Sequence, residues 1–301
     1  MDKVLIICGP TGVGKTKLSI KLAKYFNGEI INVDSMQVYK QMNIGTAKIK
    51  EEEKDGVPHH LFDIFPVTQT NNIADFQKLV REKIKEVKER NHLPILVGGT
   101  GLYVKATVYD YDFVETKTET SKYDEYTNEE LYEKLKEIDL YSAEKFHPNN
   151  RKRIERALSI YDEAGSTKTE LEEKQEHKLV YDALFLTLKM DRDILYERIN
   201  NRVDQMFLEG LEEEVRKIYE LGVDKTTAIQ AIGYKEFIPY FKNECSIEEV
   251  KETIKKNTRR YAKRQFTWFR HQIDASWLDI TNKKLDEVFA EAKEIVEKRW
   301  K

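Results

Sequence analysis

The sequence predicts an α/β fold: a parallel sheet flanked by helices, with a helical insertion. Three observations carry that expectation. Short β-rich runs alternate with amphipathic helical stretches through the first part of the chain, the pattern of a parallel sheet covered on both faces. Strand character then vanishes near Asp112 and returns at Ala183–Met190, where Leu184, Leu186 and Leu188 alternate. At 301 residues the chain is long enough for one large domain with such an insertion.

Val4–Cys8 is a short β-rich run, followed by a glycine-rich turn and a helical stretch from Thr16 to about Phe26. Asn27-Gly28 stops that helix, since both residue types enter the left-handed conformation that ends helices, and Glu29–Val33 supplies the next strand. A helix is expected over Ile73–Arg90, with Ile73, Phe76, Val80, Ile84 and Val87 on one face. Pro94–Val97 reads as a buried strand ending at Gly98-Gly99-Thr100-Gly101. Residues 113–150 hold few aliphatics and many charges, so 113–182 reads as a helical insertion in a core built from 1–112 and 183–301. One or two helices follow over Asp191–Leu221 and stop at Gly222. Ser246-Ile247-Glu248-Glu249 is a capping box for a long helix to about Phe269, because the serine and glutamate side chains satisfy N–H groups left free in the first turn. Trp277–Ile280 is the last strand and 284–300 the closing helix.

Composition narrows the class. The longest apolar runs, such as Val4-Leu5-Ile6-Ile7-Cys8, are too short to span a bilayer, and Met1 leads almost directly into that run without room for a signal peptide. Cys8 and Cys245 lie far apart and have no metal-ligand spacing. A cytoplasmic protein with no membrane partner, disulfide framework or zinc module is expected. The net charge of −3 conceals an uneven distribution: residues 251–270 carry eight cations against Glu252, a local +7 that leaves −10 on the rest. Binding follows the local field, so a polyanionic partner stays open.

Gly9-Pro10-Thr11-Gly12-Val13-Gly14-Lys15-Thr16 matches G-x-x-x-x-G-K-[ST] between a strand and a helix, the context that gives the motif its meaning. In such a loop Gly9, Thr11, Gly12, Val13 and Gly14 turn backbone N–H groups toward phosphate oxygens, Lys15 adds a full positive charge, and Thr16 holds Mg²⁺. The fold class is therefore P-loop NTPase-like. The motif identifies a di- or triphosphate without naming what is attached. A P-loop ATPase adds a hydrophobic strand ending in Asp, but Pro94–Val97 ends in Gly98-Gly99. The candidate carboxylate is instead Asp34, after Ile30-Ile31-Asn32-Val33, at the carboxyl end of a strand where α/β sheets place ligands. Read alone, Asp34 is a reactive group, a turn cap or an organiser of Mg²⁺. Arg202 alone reads as a helix-surface ion-pair residue. His59-His60 lacks a third ligand and reads as structural, and Trp268 and Phe269 read as core.

Further segments follow in order: Asp34-Ser35-Met36-Gln37-Val38-Tyr39, Gly45-Thr46-Ala47-Lys48, Pro58-His59-His60, Gly98-Gly99-Thr100-Gly101-Leu102-Tyr103, His147-Pro148-Asn149, Ala231-Ile232-Gly233-Tyr234-Lys235-Glu236 and Thr258–Phe269. With the P-loop, this set resembles the bacterial tRNA dimethylallyltransferases, also called tRNA isopentenyltransferases, from residue 4 to about 270. The resemblance implies transfer of a dimethylallyl group from its diphosphate to N6 of the adenosine 3′ of the tRNA anticodon. It implies Asp34 as the base, Thr100 as its positioning partner and Arg202 as a cation on the leaving group. Thr11 then lies against the donor, and Mg²⁺ assists through Thr16. It also implies tRNA contacts at Ser35, Met36 and Gln37 and at Lys152, Arg153, Ile154, Glu155 and Arg156; the alternative for the latter run is a solvated helix face. Lys263 and Arg264, on the basic helix, are expected to meet RNA phosphates. Nothing in the sequence points to an obligate dimer, so a monomer is expected. The competing readings are a P-loop small-molecule or nucleoside kinase, which has no use for a +7 helix, and an RNA-binding nucleotide switch.

Overall fold

The computed structural model describes residues 1–111, 113, 120–223 and 226–301; residues 112 and 114–119, at the expected start of the insertion, lie outside the described residues. Two compact units emerge, Met1–Val108 with Leu179–Lys301, and Tyr109–Lys178. The helical unit thus begins and ends four residues earlier than 113–182. The reason is that the chain after it already runs with the main unit: Val180 N–H donates to Val108 O at 2.9 Å.

The main unit is built on six strands, β1 (Lys3–Cys8), β2 (Gly28–Asn32), β3 (His59–His60), β4 (Leu93–Val97), β5 (Asp182–Lys189) and β6 (Ser276–Asp279). They lie in the order β3-β2-β4-β1-β5-β6, and every pairing is parallel. β1 is central, and Val4 through Cys8 are completely buried, which is why its apolar run is continuous rather than alternating. β5 matches it over six positions, from Lys3 opposite Asp182 to Cys8 opposite Thr187. β3 is only two residues long, too short for any periodicity to announce it.

Helices α1 (Lys15–Phe26), α2 (Ile73–Glu89), α3 (Gly101–Val108), α8 (Arg192–Leu208), α9 (Leu211–Tyr219), α10 (Phe237–Phe241), α11 (Ile247–Gln272) and α12 (Leu285–Trp300) belong to this unit. Their limits are chemical. Asn27 takes the left-handed conformation (φ 50°) and closes α1 with an N–H donated to Ala23 O. Asn72 caps α2 by accepting Asp75 N–H at 2.8 Å. The Ser246–Glu249 box forms at the start of α11, with both reciprocal bonds present. The helical unit holds α4 (Asn128–Ile138), α5 (Leu140–Lys145), α6 (Arg151–Ala164) and α7 (Lys168–Glu173) around its own core of Leu131, Leu135, Ala143, Ile154, Ala157 and Leu158. Among the described residues, no helix is long and apolar enough to cross a membrane.

The topology decides where chemistry can occur. β4 lies between β1 and β2, so the turn after β4 separates the P-loop after β1 from Asp34 after β2. At the usual strand spacing those two loops are roughly 10 Å apart. The turn is packed tightly between them: a Cβ on Gly98 would lie 2.6 Å from Val33 O, so only glycine fits.

His60 ends in a charge cluster at the β3–β2 edge of the sheet. The Glu29 carboxylate, on a residue 2% exposed, accepts from Arg90 Nε and Nη2 at 2.9 and 2.7 Å and meets His60 Nε2 and His92 Nδ1 at 2.5 Å each. The Arg90 guanidinium is the largest influence, and the cluster holds the Glu29 carboxyl down at about 2. A depressed folded-state value stabilises the fold above the ordinary carboxylate range, and that contribution is lost as pH falls toward 2. Glu29→Gln is therefore expected to cost roughly 2–4 kcal/mol at pH 7. Urea unfolding of the two proteins should show that gap, which should narrow as pH falls below about 4.5 and close only near pH 2; an unchanged midpoint at pH 7 would mean that the cluster is neutral to stability.

Candidate active site

The P-loop crosses the carboxyl end of β1 with Gly9, Gly12 and Gly14 at φ of 133°, 81° and 103°. Gly9 has a second constraint, since a Cβ there would lie 2.6 Å from Leu188 O of the neighbouring strand. Gly14 is the left-handed cap from which α1 starts. The Val13 side chain is completely buried, so its N–H is what it offers the loop surface, and that group is 3.4 Å from Pro10 O. Thr11 departs from the expected ring of inward amides: its N–H donates to Gln265 Oε1 at 2.9 Å. Lys15 Nζ folds onto the loop, donating to Gly9 O and Pro10 O at 2.9 Å each. Burial lowers Lys15 to about 8, against the upward pull of Asp34 and with a smaller downward push from Arg202.

Asp34 forms the facing wall. Its N–H donates to Asn32 Oδ1 at 3.0 Å and its Oδ1 accepts Met36 N–H at 2.9 Å, so the carboxylate does cap a turn. One oxygen serves that turn. Thr100 is the N-cap residue of α3, where its carbonyl accepts Tyr103 and Val104 N–H. Its hydroxyl lies 3.3 Å from both Ser35 N and Ser35 Oγ, which joins the β4 turn to the β2 turn beside Asp34.

The P-loop and Asp34 bound a cavity of about 700 Å³ lined also by Gln37, Gly98, Gly99 and, from α8, Arg198, Arg202, Gln205 and Met206. Arg202 lines it rather than the protein surface, and Arg198 joins it one helical turn earlier. Burial pulls the Arg202 guanidinium down while Asp34 holds it up. Its Nη2 reaches Ala47 O at 3.5 Å, a long contact. Arg198 stands against the P-loop, since a Cβ on Gly14 would lie 3.8 Å from its Nη2. Arg198 precedes Arg202 by four residues, a spacing that puts both on one helix face and is visible in the sequence.

Loop 43–48 closes the cavity, and a residue far away in sequence holds it. Glu214 on α9 accepts N–H bonds from Asn43, Ile44 and Gly45 at 2.9, 2.8 and 3.0 Å, and the Tyr234 hydroxyl at 2.6 Å. The Tyr234 ring lies on Gly45, where a Cβ would come within 2.5 Å of it. The Gly45-Thr46-Ala47-Lys48 and Gly233-Tyr234 segments are thus two halves of one contact. The loop in turn offers Thr46 O to Gln37 Nε2 at 3.0 Å.

The cations expected to face RNA divide by exposure. On α11, Lys251 and Lys255 are tied to Asp204, and Arg259 to Asn200 Oδ1. Lys256, Arg260, Lys263, Arg264 and Arg270 are exposed. Phe269 is completely buried, as a core residue. On α6, Lys152 and Arg153 are exposed, but Ile154 is 0% exposed inside the helical unit's core. Glu155 is 8% exposed and pairs with Arg151 at 2.6 Å. Residues 152–156 therefore present no continuous face: helical periodicity turns Ile154 and Glu155 inward, and burial withdraws both from a macromolecular partner.

Among the described residues no cluster of three His, Cys, Asp or Glu forms a metal site. A divalent cation here fits instead the phosphate-site pattern, in which one protein hydroxyl and the phosphate oxygens share it; the Thr16 hydroxyl is exposed on the cavity wall.

Residues 37–272 match the family model described as IPP transferase. The chain is 51% identical over 284 residues to a tRNA dimethylallyltransferase of Anoxybacillus flavithermus, covering 93% of this chain and 91% of that protein. It is 48% identical over 299 residues to one of Bacillus pumilus, covering 95% and 94%. The crystal structure of a tRNA isopentenylpyrophosphate transferase from Bacillus halodurans superimposes with a TM-score of 0.77 at 43% identity, over 99% of this chain and 97% of that one. A eukaryotic dimethylallyltransferase acting on tRNA superimposes with a TM-score of 0.87 at 33% identity, over 99% and 80%. With a family match over most of its length and relatives near half identity, this chain belongs to the IPP transferase family.

Proposed function

We propose that this chain transfers a dimethylallyl group from dimethylallyl diphosphate to N6 of the adenosine immediately 3′ of a tRNA anticodon, releasing diphosphate. The observation that carries the reading is one cavity with a phosphate cradle on one wall and Asp34 on the other, next to the Ser35–Thr100 contact. The N6 lone pair of adenine is delocalised into its ring, so the amine attacks only as its proton is withdrawn. The N6–C1 bond forms, the C1–O bond gives its electrons to the diphosphate, and the proton passes to Asp34. Oδ1 already serves Met36, so Oδ2 is the oxygen assigned to that proton. The adenine leaves its stack to reach this depth, with Ser35, Met36 and Gln37 at the mouth and Thr100 beside the amine. Lys15, Arg202 and the loop amides take the charge that develops on the leaving group. Thr16 would hold Mg²⁺ at the bound diphosphate, where the ion would supply further neutralisation of that charge. RNA phosphates meet the exposed cations Lys263 and Arg264 of α11 and Lys152 and Arg153 of α6.

Incubating the protein with Mg²⁺, unmodified tRNA and labelled dimethylallyl diphosphate tests the reading, with ATP replacing the donor in a parallel reaction. Label in tRNA with diphosphate released supports it. ATP turnover without incorporation overturns it in favour of a kinase.

Lys15 adds a prediction. The protonated amine binds diphosphate, and burial sets its titration near 8. Affinity for dimethylallyl diphosphate should therefore weaken by about tenfold between pH 7 and pH 9, as the charge is lost. Equilibrium binding with a non-hydrolysable donor analogue reads this directly; a flat profile would mean that Lys15 stays charged across that range.

A further inference from the structure

We propose that Gln265 is a positioning residue whose side-chain amide braces the P-loop against the Gly98-Gly99-Thr100 turn, so that helix α11 sets the geometry of the diphosphate cradle. Gln265 is 5% exposed, on the buried side of α11, next in sequence to the exposed Lys263 and Arg264. Its Oε1 accepts Thr11 N–H at 2.9 Å and its Nε2 donates to Gly99 O at 2.8 Å. Both partners are main-chain groups, so the bridge fixes backbone positions in two loops that leave adjacent strands, β1 and β4. A single side chain supplying one donor and one acceptor at that reach is a glutamine amide.

The surroundings are built around this bridge. A Cβ on Gly99 would lie 2.3 Å from Gln265 Nε2, so the second glycine of Gly98-Gly99 is what admits the amide. Trp268, three residues on, lies against Gly101, where a Cβ would come within 2.1 Å of the indole. Tyr261, one turn earlier, lies beside the Thr100 hydroxyl and the Gln265 side chain. The inner face of α11 thus touches Thr11, Gly99, Thr100 and Gly101 in succession, while the outer face carries cations. The helix that offers positive charge to RNA is also the part that holds the two catalytic loops in register.

The rate part of the test rests on the prenyl-transfer reading; the binding part does not. Gln265→Met keeps the side-chain length and removes both hydrogen bonds. The Kd for inorganic diphosphate should rise about tenfold and the rate of transfer per tRNA-binding site should fall by at least as much, two hydrogen bonds being worth about that factor. The Kd for tRNA should stay within about twofold, since the outer face is unaltered. Gln265→Asn retains the amide but falls a methylene short, and should behave like Gln265→Met. Tyr261→Phe removes neither main-chain bond of Gln265, so it should leave diphosphate affinity unchanged. Gln265→Met with diphosphate affinity and rate both within about twofold of wild type would overturn the proposal. So would parallel loss of diphosphate and tRNA affinity, which marks general loosening of α11. If the wild-type protein binds diphosphate but does not prenylate tRNA, the functional reading fails and the diphosphate measurement still decides the role of Gln265.

Discussion

Asp34→Asn should lower the rate of the chemical step by about 10²–10⁴-fold, the usual worth of a positioned general base. Affinity for dimethylallyl diphosphate should change by no more than a few-fold. The substitution is chosen because it separates the two things that Asp34 does. Asparagine keeps an oxygen where Oδ1 accepts Met36 N–H, so the 34–37 turn survives. What it lacks is an oxygen able to take the N6 proton. Two electrostatic changes oppose one another on the donor side. Losing the carboxylate removes a repulsion toward diphosphate, and it also removes the upward pull that Asp34 exerts on Lys15 and Arg202. Asp34→Ala deletes the turn bond as well, and should weaken tRNA binding where Asp34→Asn does not. Single-turnover transfer at saturating tRNA, with donor Kd measured separately, reads all three effects. Transfer by Asp34→Asn within a few-fold of wild type would show that Asp34 is only a turn cap.

The elements of this protein that sequence can reveal are those written in neighbouring residues. β1 and β4 are continuous apolar runs because both faces are covered, and the capping box at Ser246 needs only four residues to be read. The P-loop is local too, since its glycines answer to their own φ angles. Asp34 was legible for a mixed reason: a strand end is local, but its nearness to Thr100 depends on β4 inserting between β1 and β2. Gln265 and Glu214 escaped notice because each acts on main-chain groups more than 150 residues away, and main-chain partners leave no complementary residue type to search for. Residues 152–156 show the opposite error. A run of cations looks uniform in sequence, but helical periodicity puts Ile154 into a core and leaves Lys152 and Arg153 outside.

Arg202→Gln should slow transfer by about 10²–10³-fold, the measured worth of one preorganised donor aimed at developing charge in comparable sites. Among the described residues the guanidinium has few protein partners. It lines the cavity on α8 with a 3.5 Å contact to Ala47 O, so its donors are available to the diphosphate. Burial depresses it, yet an ordinary arginine titrates so high that it stays charged at neutral pH. A charge desolvated in this way interacts more strongly with a leaving group than the same charge in water. Since negative charge grows on the diphosphate as the C1–O bond breaks, the loss should fall more on kcat than on donor Kd. Arg202→Lys keeps a point charge but not the planar fork, and should recover only part of the rate. Arg198 is exposed at the rim and should matter less: Arg198→Gln is expected to cost about tenfold, mainly in donor affinity, as a charge that contacts ground state and transition state alike. The pair therefore yields an ordered result, in which donor Kd and kcat separate by residue. Equal losses in both constants for both variants would mean that α8 supplies a general positive field rather than a cation aimed at the breaking bond.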